Sequence, residues 1–285
     1  MHKDPIHVGS VDPLPGVTIL TMADDDNHTR RQRRALAHSF SQKALLEQEY
    51  IIKGYVDMLI ENLNRMSNND QTFNLVDWLN FTTFDIIGDL AFGEPFGCLE
   101  QGEFHFWVKL VYETVKNLLL NFIPKEVRQR RRNHLNFSRE KVLRRLENTN
   151  THHKDFIWYI LKQREKHDLK QDEIVVNSAL FIVAGSETTA NLLSGLIARL
   201  FYNKPKYDKL VHEIRSSFKT EDELTYENLS KLSLSYLEMR LILGRLLWNF
   251  DLVSTDNAWQ WDPADEMKNR RAFMTWEKPD LNIKV

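Results

Sequence analysis

One stretch constrains this chain more than any other. Residues 176–201 are almost continuously apolar at helical spacing, and in their middle lies Ala184-Gly185-Ser186-Glu187-Thr188-Thr189. The pattern predicts a long buried helix, entered near Asp172, whose centre turns small and polar. A mid-helix glycine costs about 1 kcal/mol relative to alanine, and Ser and Thr side chains compete for backbone hydrogen bonds. Such residues do not improve a core, so a bound group is expected to compensate. Ala184 and Thr188 are one turn apart and share a face. Small groups at Ala184 and Gly185 would let a flat ligand approach the backbone. Thr188 can donate and accept a hydrogen bond, and Glu187 can supply a proton. An acid beside a hydroxyl in a water-poor pocket forms a proton-delivery pair, so both are expected to face a binding cavity. The competing reading is a close helix crossing through Ala184 and Gly185, with Glu187 on the surface.

The rest of the chain also reads as helical, which makes the fold class mainly α with little β. Asp24, Asp25 and Asp26 precede a basic segment at 29–38, as suits a helix N-terminus. Ser41 caps a long amphipathic helix carrying Leu45, Ile52, Val56, Leu59 and Leu63 on one face. Asn74 opens a helix that stops at Gly93-Glu94-Pro95. Helices are expected at 104–121 (ending before Pro124), 126–148, 154–166, 205–218, 224–231 and 234–249, with Pro205 in a first turn. The tail from Asp251, with Trp259, Trp261, Phe273 and Trp276, reads as irregular structure with one or two short strands. Residues 1–28 read as an irregular N-terminal segment, and 29–285 as a single helical domain.

Composition removes several function classes. The 38 basic and 40 acidic residues leave a net charge of −2, which gives no reason to expect nucleic acid as the main partner. The single cysteine, Cys98, rules out an intrachain disulfide framework and a multi-cysteine metal site. The histidines show no metal-ligand spacing, so no metal site is assigned to protein side chains. No uninterrupted run of 18 apolar residues occurs, so no transmembrane anchor is expected. Arg128, Arg130, Arg131 and Arg132 with Lys141, Arg144 and Arg145 form a basic stretch, but Glu126, Glu140 and Glu147 are interspersed. That pattern favours a solvated, ion-paired helix. Residues 118–123 are either core or a point of membrane contact.

The Ala-Gly-Ser-Glu-Thr-Thr helix resembles the central distal helix of cytochrome P450 monooxygenases. Other segments agree in order. Residues 29–40, followed by Ser41 and Ala44-Leu45, resemble that family's basic helix. Gly88-Asp89-Leu90-Ala91-Phe92-Gly93 resembles a later family segment. Residues 236–243 and Leu247-Trp248-Asn249-Phe250 resemble the helix after the haem loop in fungal members, and Trp276-Glu277-Lys278-Pro279 resembles their tail. The resemblance implies a P450-like helical fold and haem as cofactor. It also implies a lipophilic small-molecule substrate of secondary metabolism and a P450 reductase as partner. Glu187 and Thr188 would be the catalytic pair, Arg33 would meet a haem propionate, and Ala184 and Gly185 would line the haem pocket.

The same resemblance exposes what is missing. The family holds its iron by a cysteine thiolate, in a loop F-x-x-G-x-x-x-C-x-G placed just before the helix that begins Tyr236-Leu237-Glu238-Met239-Arg240. Here residues 228–235 precede that helix, with no cysteine. The family's E-x-x-R motif occurs nowhere in the sequence. The N-terminal anchor and first strands are also expected to be absent. Cys98 is no substitute: Phe92 and Gly93 precede it at the wrong distances, and Glu100 stands where the loop needs glycine. The reading is therefore a truncated family member, inactive as written because it lacks the axial ligand. A non-catalytic helical ligand-binding or remnant protein is the alternative. A gene model missing an exon at the junction 232–235 would give the same sequence. The family usually sits on the endoplasmic reticulum membrane; without an anchor a cytoplasmic placement is left open.

Overall fold

The structure is a computed structural model, describing residues 17, 19–20, 26–105, 125–148, 152–230, 237–255, 261, 271–272 and 276–285. For 26–29, 125–132, 134, 237–238, 271–272 and 276–277 only the backbone is described. The expected helix at 104–121 beyond residue 105, Pro124, the 118–123 segment, the junction 232–235, Trp259 and Phe273 lie outside the described residues. So do the side chains of Arg128, Arg130, Arg131, Arg132 and Trp276.

Helices dominate. They are α1 (Asp26–Ala37), α2 (Gln42–Asn68), α3 (Leu75–Phe92), the single-turn α4 (Cys98–Gln101), α5 (Lys125–Glu147), α6 (Phe156–Arg164), α7 (Gln171–Phe201), α8 (Lys204–Ser217), the short α9 (Tyr226–Leu229) and α10 (Leu237–Asn249). Short 3-10 turns occur at His38–Phe40 and Glu221–Glu223. The start and stop signals act as the sequence suggests. Ser41 Oγ accepts from the Ala44 amide at 3.2 Å, and Asn74 Oδ1 from the Val76 amide at 3.2 Å. Asn203 Oδ1 accepts from the Lys206 amide, with Pro205 in the first turn of α8. Gly93 ends α3 with φ +75°, in the left-handed region that glycine tolerates.

The chain divides into two compact units. The first comprises 1–48, 87–96 and 120–184. Here α1 packs on α6 and on the 3-10 turn His38–Phe40, and Ala35, Leu36, Val142, Ile157, Ile160 and Ile182 are buried. Phe40, Phe156 and Phe181 form a ring cluster with centroids 4.7–5.7 Å apart. Such pairs add to area burial through edge-to-face electrostatics. Arg145 and Asp155 form a buried ion pair at 2.5 Å, and the same Asp155 caps α6 by accepting from the Trp158 amide at 2.7 Å.

The second unit comprises 49–86, 97–119 and 185–285. Its core is built from Ile52, Leu59, Leu63, Leu79, Phe84, Leu246 and Leu247. A three-stranded antiparallel sheet in the order β1-β5-β2 joins Phe73–Asn74 (β1), Asn282–Lys284 (β5) and Val253–Ser254 (β2), with Phe73 opposite Ile283 and Val253 opposite Lys284. A second pair links β3 (Arg271–Ala272) to β4 (Trp276–Glu277). The tail thus carries four short strands among the described residues, where one or two were expected. Two- and three-residue strands are too short to show a period-2 pattern, and β1 pairs with β5 from the far end of the chain. Trp261 is buried and its indole donates to the Asp280 carbonyl at 3.1 Å.

Candidate active site

Helix α7 is the element the sequence singled out, and it runs unbroken from Gln171 to Phe201. Its first turn is satisfied locally: Glu173 Oε2 accepts from the Lys170 amide at 2.9 Å, in the manner of a capping box. Glu173 also receives both guanidinium nitrogens of Arg31 and the Gln32 amide at 3.1 Å. Asn177 donates to Gln32 and to the Glu173 carbonyl, at 3.3 and 2.8 Å, and accepts from the Leu20 amide at 3.0 Å. In the first unit this network ties α7 to α1. No spacing pattern announces it, because its members come from separate segments.

In the polar centre of α7 the side chains alternate by helical phase. Ala184 and Thr188 are exposed, Gly185 and Thr189 half-buried, Ser186 and Glu187 buried. Neighbouring residues on a helix are turned by about 100°, which separates the acid from the hydroxyl. Thr188 shares the exposed face with Ala184, as their spacing required. Glu187 turns into the second unit instead, where Lys278 Nζ lies 3.5 Å from its Oε1. Lys278 also reaches Asn80 Oδ1 at 3.4 Å. Burial pushes the Lys278 ammonium below its usual pKa, against the pull of Glu187 and Asp77. Lys278 is the site residue that sequence reasoning missed. It sits in an irregular segment between β4 and β5, far along the chain from α7.

Arg33 is exposed on α1, in the first unit, and Glu187 and Thr188 belong to the second. The arginine of α1 that makes the anchoring contacts is Arg31, about 200° around the helix from Arg33. Of the basic stretch, Lys141 pairs with Glu94 at 2.7 Å, Arg144 with the same carboxylate at 3.5 Å, and Arg145 with Asp155. By length and composition α7 is also apolar enough to cross a membrane, with a mean hydropathy of 1.3 over its best 18 residues. This qualifies the expectation drawn from uninterrupted apolar runs, since polar residues within α7 are averaged out. Core helices of soluble proteins pass the same test, and a buried Glu187 paired with lysine suits a helix packed in protein.

The match to known proteins follows the same elements. The family model for cytochrome P450 matches residues 8–236. This chain belongs to the cytochrome P450 family. Among curated P450s it is 31% identical to the monooxygenase aba2 of Botryotinia fuckeliana, over an alignment of 401 residues that takes in 98% of this chain and 76% of that protein. It is 41% identical over 238 residues to astJ of Aspergillus oryzae, covering 78% of this chain and 47% of astJ. It is 30% identical over 396 residues to astA of Talaromyces wortmannii, covering 100% of this chain and 78% of astA. The aba2 and astA alignments are longer than the chain itself, so both P450s carry segments inside the aligned region that have no counterpart here. The solved haem domain of cytochrome P450DA superposes with a TM-score of 0.69 at 18% identity, covering 81% of this chain and 51% of that one. This shared fold is mainly α.

Haem is the cofactor of the P450 family, and P450 iron is held by a cysteine thiolate. Cys98 is the chain's one cysteine, and it is fully buried at the start of α4. Asp85 fixes that turn, accepting from the Cys98 amide at 3.1 Å and the Leu99 amide at 2.8 Å. Asn62 donates to the Leu99 carbonyl at 3.1 Å, and the His105 amide donates to Cys98 Sγ at 3.5 Å. The thiol is part of a closed core. No group of three or more His, Cys, Asp or Glu side chains poised to hold a metal ion occurs among the described residues.

Proposed function

We propose that this chain is a P450-family protein without monooxygenase turnover of its own. The activity of the lineage, haem-dependent oxygenation of a lipophilic small molecule with electrons from a P450 reductase, would belong to relatives with a complete proximal side. The observation that carries the reading is the enclosure of Cys98: the one sulfur that could become an axial thiolate is packed at 0% exposure against the Asp85-held turn. Without an anionic sulfur donor, O–O cleavage loses its electronic push. Helix α7 retains the family's distal features in part. Within the second unit Thr188 presents an exposed hydroxyl, while Glu187 is held by Lys278.

Reconstitution with haemin, followed by a reduced carbon monoxide difference spectrum, tests the reading. The expected result is no thiolate-type Soret band and no product from lipophilic substrates with a reductase present. A thiolate-type band with turnover would overturn it. The alternative of a non-catalytic binding protein predicts saturable uptake of lipophilic ligands by the folded chain, and its support is the small, polar composition at the centre of α7.

A further inference from the structure

A recess of about 360 Å3 opens in the first unit, where α1 meets the turn that follows α6. Its wall consists of Arg30, Arg31, Arg34, Lys166, His167 and Asp168. Five of these are basic residue types and one is a carboxylate. Such an excess of one sign in a concave surface focuses an electrostatic field on whatever enters.

The wall is built rather than incidental. Arg31 is committed to it as scaffold: its guanidinium holds Glu173 and donates to the carbonyls of His167 and Asp168, at 3.2 and 2.6 Å. These bonds fix the turn against α1. The turn is also closed on itself. The His167 amide donates to the Gln163 carbonyl at 3.1 Å, and the Leu169 amide to the Arg164 carbonyl at 3.0 Å. Asp168 occupies the left-handed region, with φ +45°. Arg30 and Arg34 stand one turn apart on the exposed side of α1, and Lys166 is exposed opposite them. The pKa of His167 is lowered by burial and then by Lys166, His38, Arg34 and Arg31. This imidazole lies in a field of cations, and its ring N–H can donate a hydrogen bond.

We propose that this recess binds a small polyanion carrying two phosphoryl groups, gripped by Arg30 and Arg34, with Lys166 as a point charge and His167 as a hydrogen-bond donor. Guanidinium forks match phosphate oxygens two at a time. The volume falls within the range of about 300–1,000 Å3 typical of small-molecule sites and exceeds what one phosphate fills. The same chemistry is offered by a soluble diphosphate and by a phosphorylated lipid headgroup. The inference does not depend on the proposed function, because none of these residues belongs to α7's polar centre.

The full chain, titrated with inorganic pyrophosphate and followed by the imidazole resonances, tests it. The resonance of His167 is assigned by its loss in His167→Gln. Pyrophosphate is expected to raise the titration midpoint of His167 saturably, beyond the effect of sodium chloride at equal ionic strength. Arg34→Ala and Lys166→Ala each remove one charge-assisted contact and are expected to weaken pyrophosphate binding by about tenfold. Both positions are exposed and leave the Arg31–Glu173 anchor in place. Sedimentation with vesicles containing a phosphoinositide separates the sources: co-sedimentation lost in Arg34→Ala supports a headgroup, and pyrophosphate binding without vesicle binding supports a free ligand. A His167 shift matched by chloride, or unchanged pyrophosphate affinity in both variants, overturns the proposal.

Discussion

Lys278 Nζ and Glu187 Oε1 lie 3.5 Å apart, with their side chains 4% and 7% exposed. The pair joins the segment before β5 to the polar centre of α7, inside the second unit. A buried charge that loses its partner is left without compensating solvation, whereas replacing both members with apolar groups is often neutral. Lys278→Met is therefore expected to destabilise the protein by about 3–5 kcal/mol, read as a lowered urea midpoint. The double variant Lys278→Met, Glu187→Leu should recover most of that loss. A single variant indistinguishable from the parent would mean that the pair behaves as a solvated surface contact.

Gly93 supports a second prediction. Its φ of +75° disfavours any side chain, and a Cβ there would lie 2.4 Å from Arg145 Cδ and 2.9 Å from Asp155 Oδ2. Gly93→Ala thus combines backbone strain with displacement of a buried ion pair. A loss of at least about 2 kcal/mol is expected, in thermal or urea unfolding. Gly54→Ala is the control, because a Cβ at Gly54 meets nothing within 4 Å; mid-helix it should stabilise by up to about 1 kcal/mol.

The difference between those glycines shows what the sequence could reveal. Gly93 is legible, because a glycine after an apolar helix and before Glu-Pro marks a stop. Periodicity and caps also located α2, α3, α7 and α8, since these signals are local. The polar centre of α7 was legible as an anomaly, and helical phase did pair Ala184 with Thr188. Phase alone could not show that Glu187 points to Lys278, because that contact depends on how the tail folds back. The network of Arg31, Gln32, Glu173 and Asn177 was hidden for the same reason. Arg33 stood out through family spacing, while its neighbour Arg31 holds α7.

His153 should make stability depend on pH. Its Nε2 lies 2.5 Å from Asp89 Oδ1. That hydrogen bond raises the imidazole pKa above its ordinary 6.5, against an opposing effect of burial, with Asp89 and Asp155 charges adding and Arg145 subtracting. The folded state then binds the proton more tightly than the unfolded chain. The resulting stability is fully present below the ordinary value and is lost as pH rises through the raised folded value. The urea midpoint is expected to fall from mildly acidic to mildly alkaline pH, and His153→Gln should flatten that slope. An equal slope in the variant would assign the dependence to other groups.

Cys98 gives the prediction closest to function. Its sulfur accepts from the His105 amide, and its turn is pinned by Asp85. Thiol reactivity requires access as well as thiolate character. A chromogenic disulfide reagent is therefore expected to react slowly with the native protein and completely in denaturant. Cys98→Ser should leave any spectrum of added haemin unchanged, because that sulfur would not be among the iron's ligands. A native thiol that reacts at the denatured rate would show that the core around α4 opens readily. A haemin spectrum that changes on substitution would place the sulfur on iron, and the proposed lack of turnover would then lose the observation on which it stands.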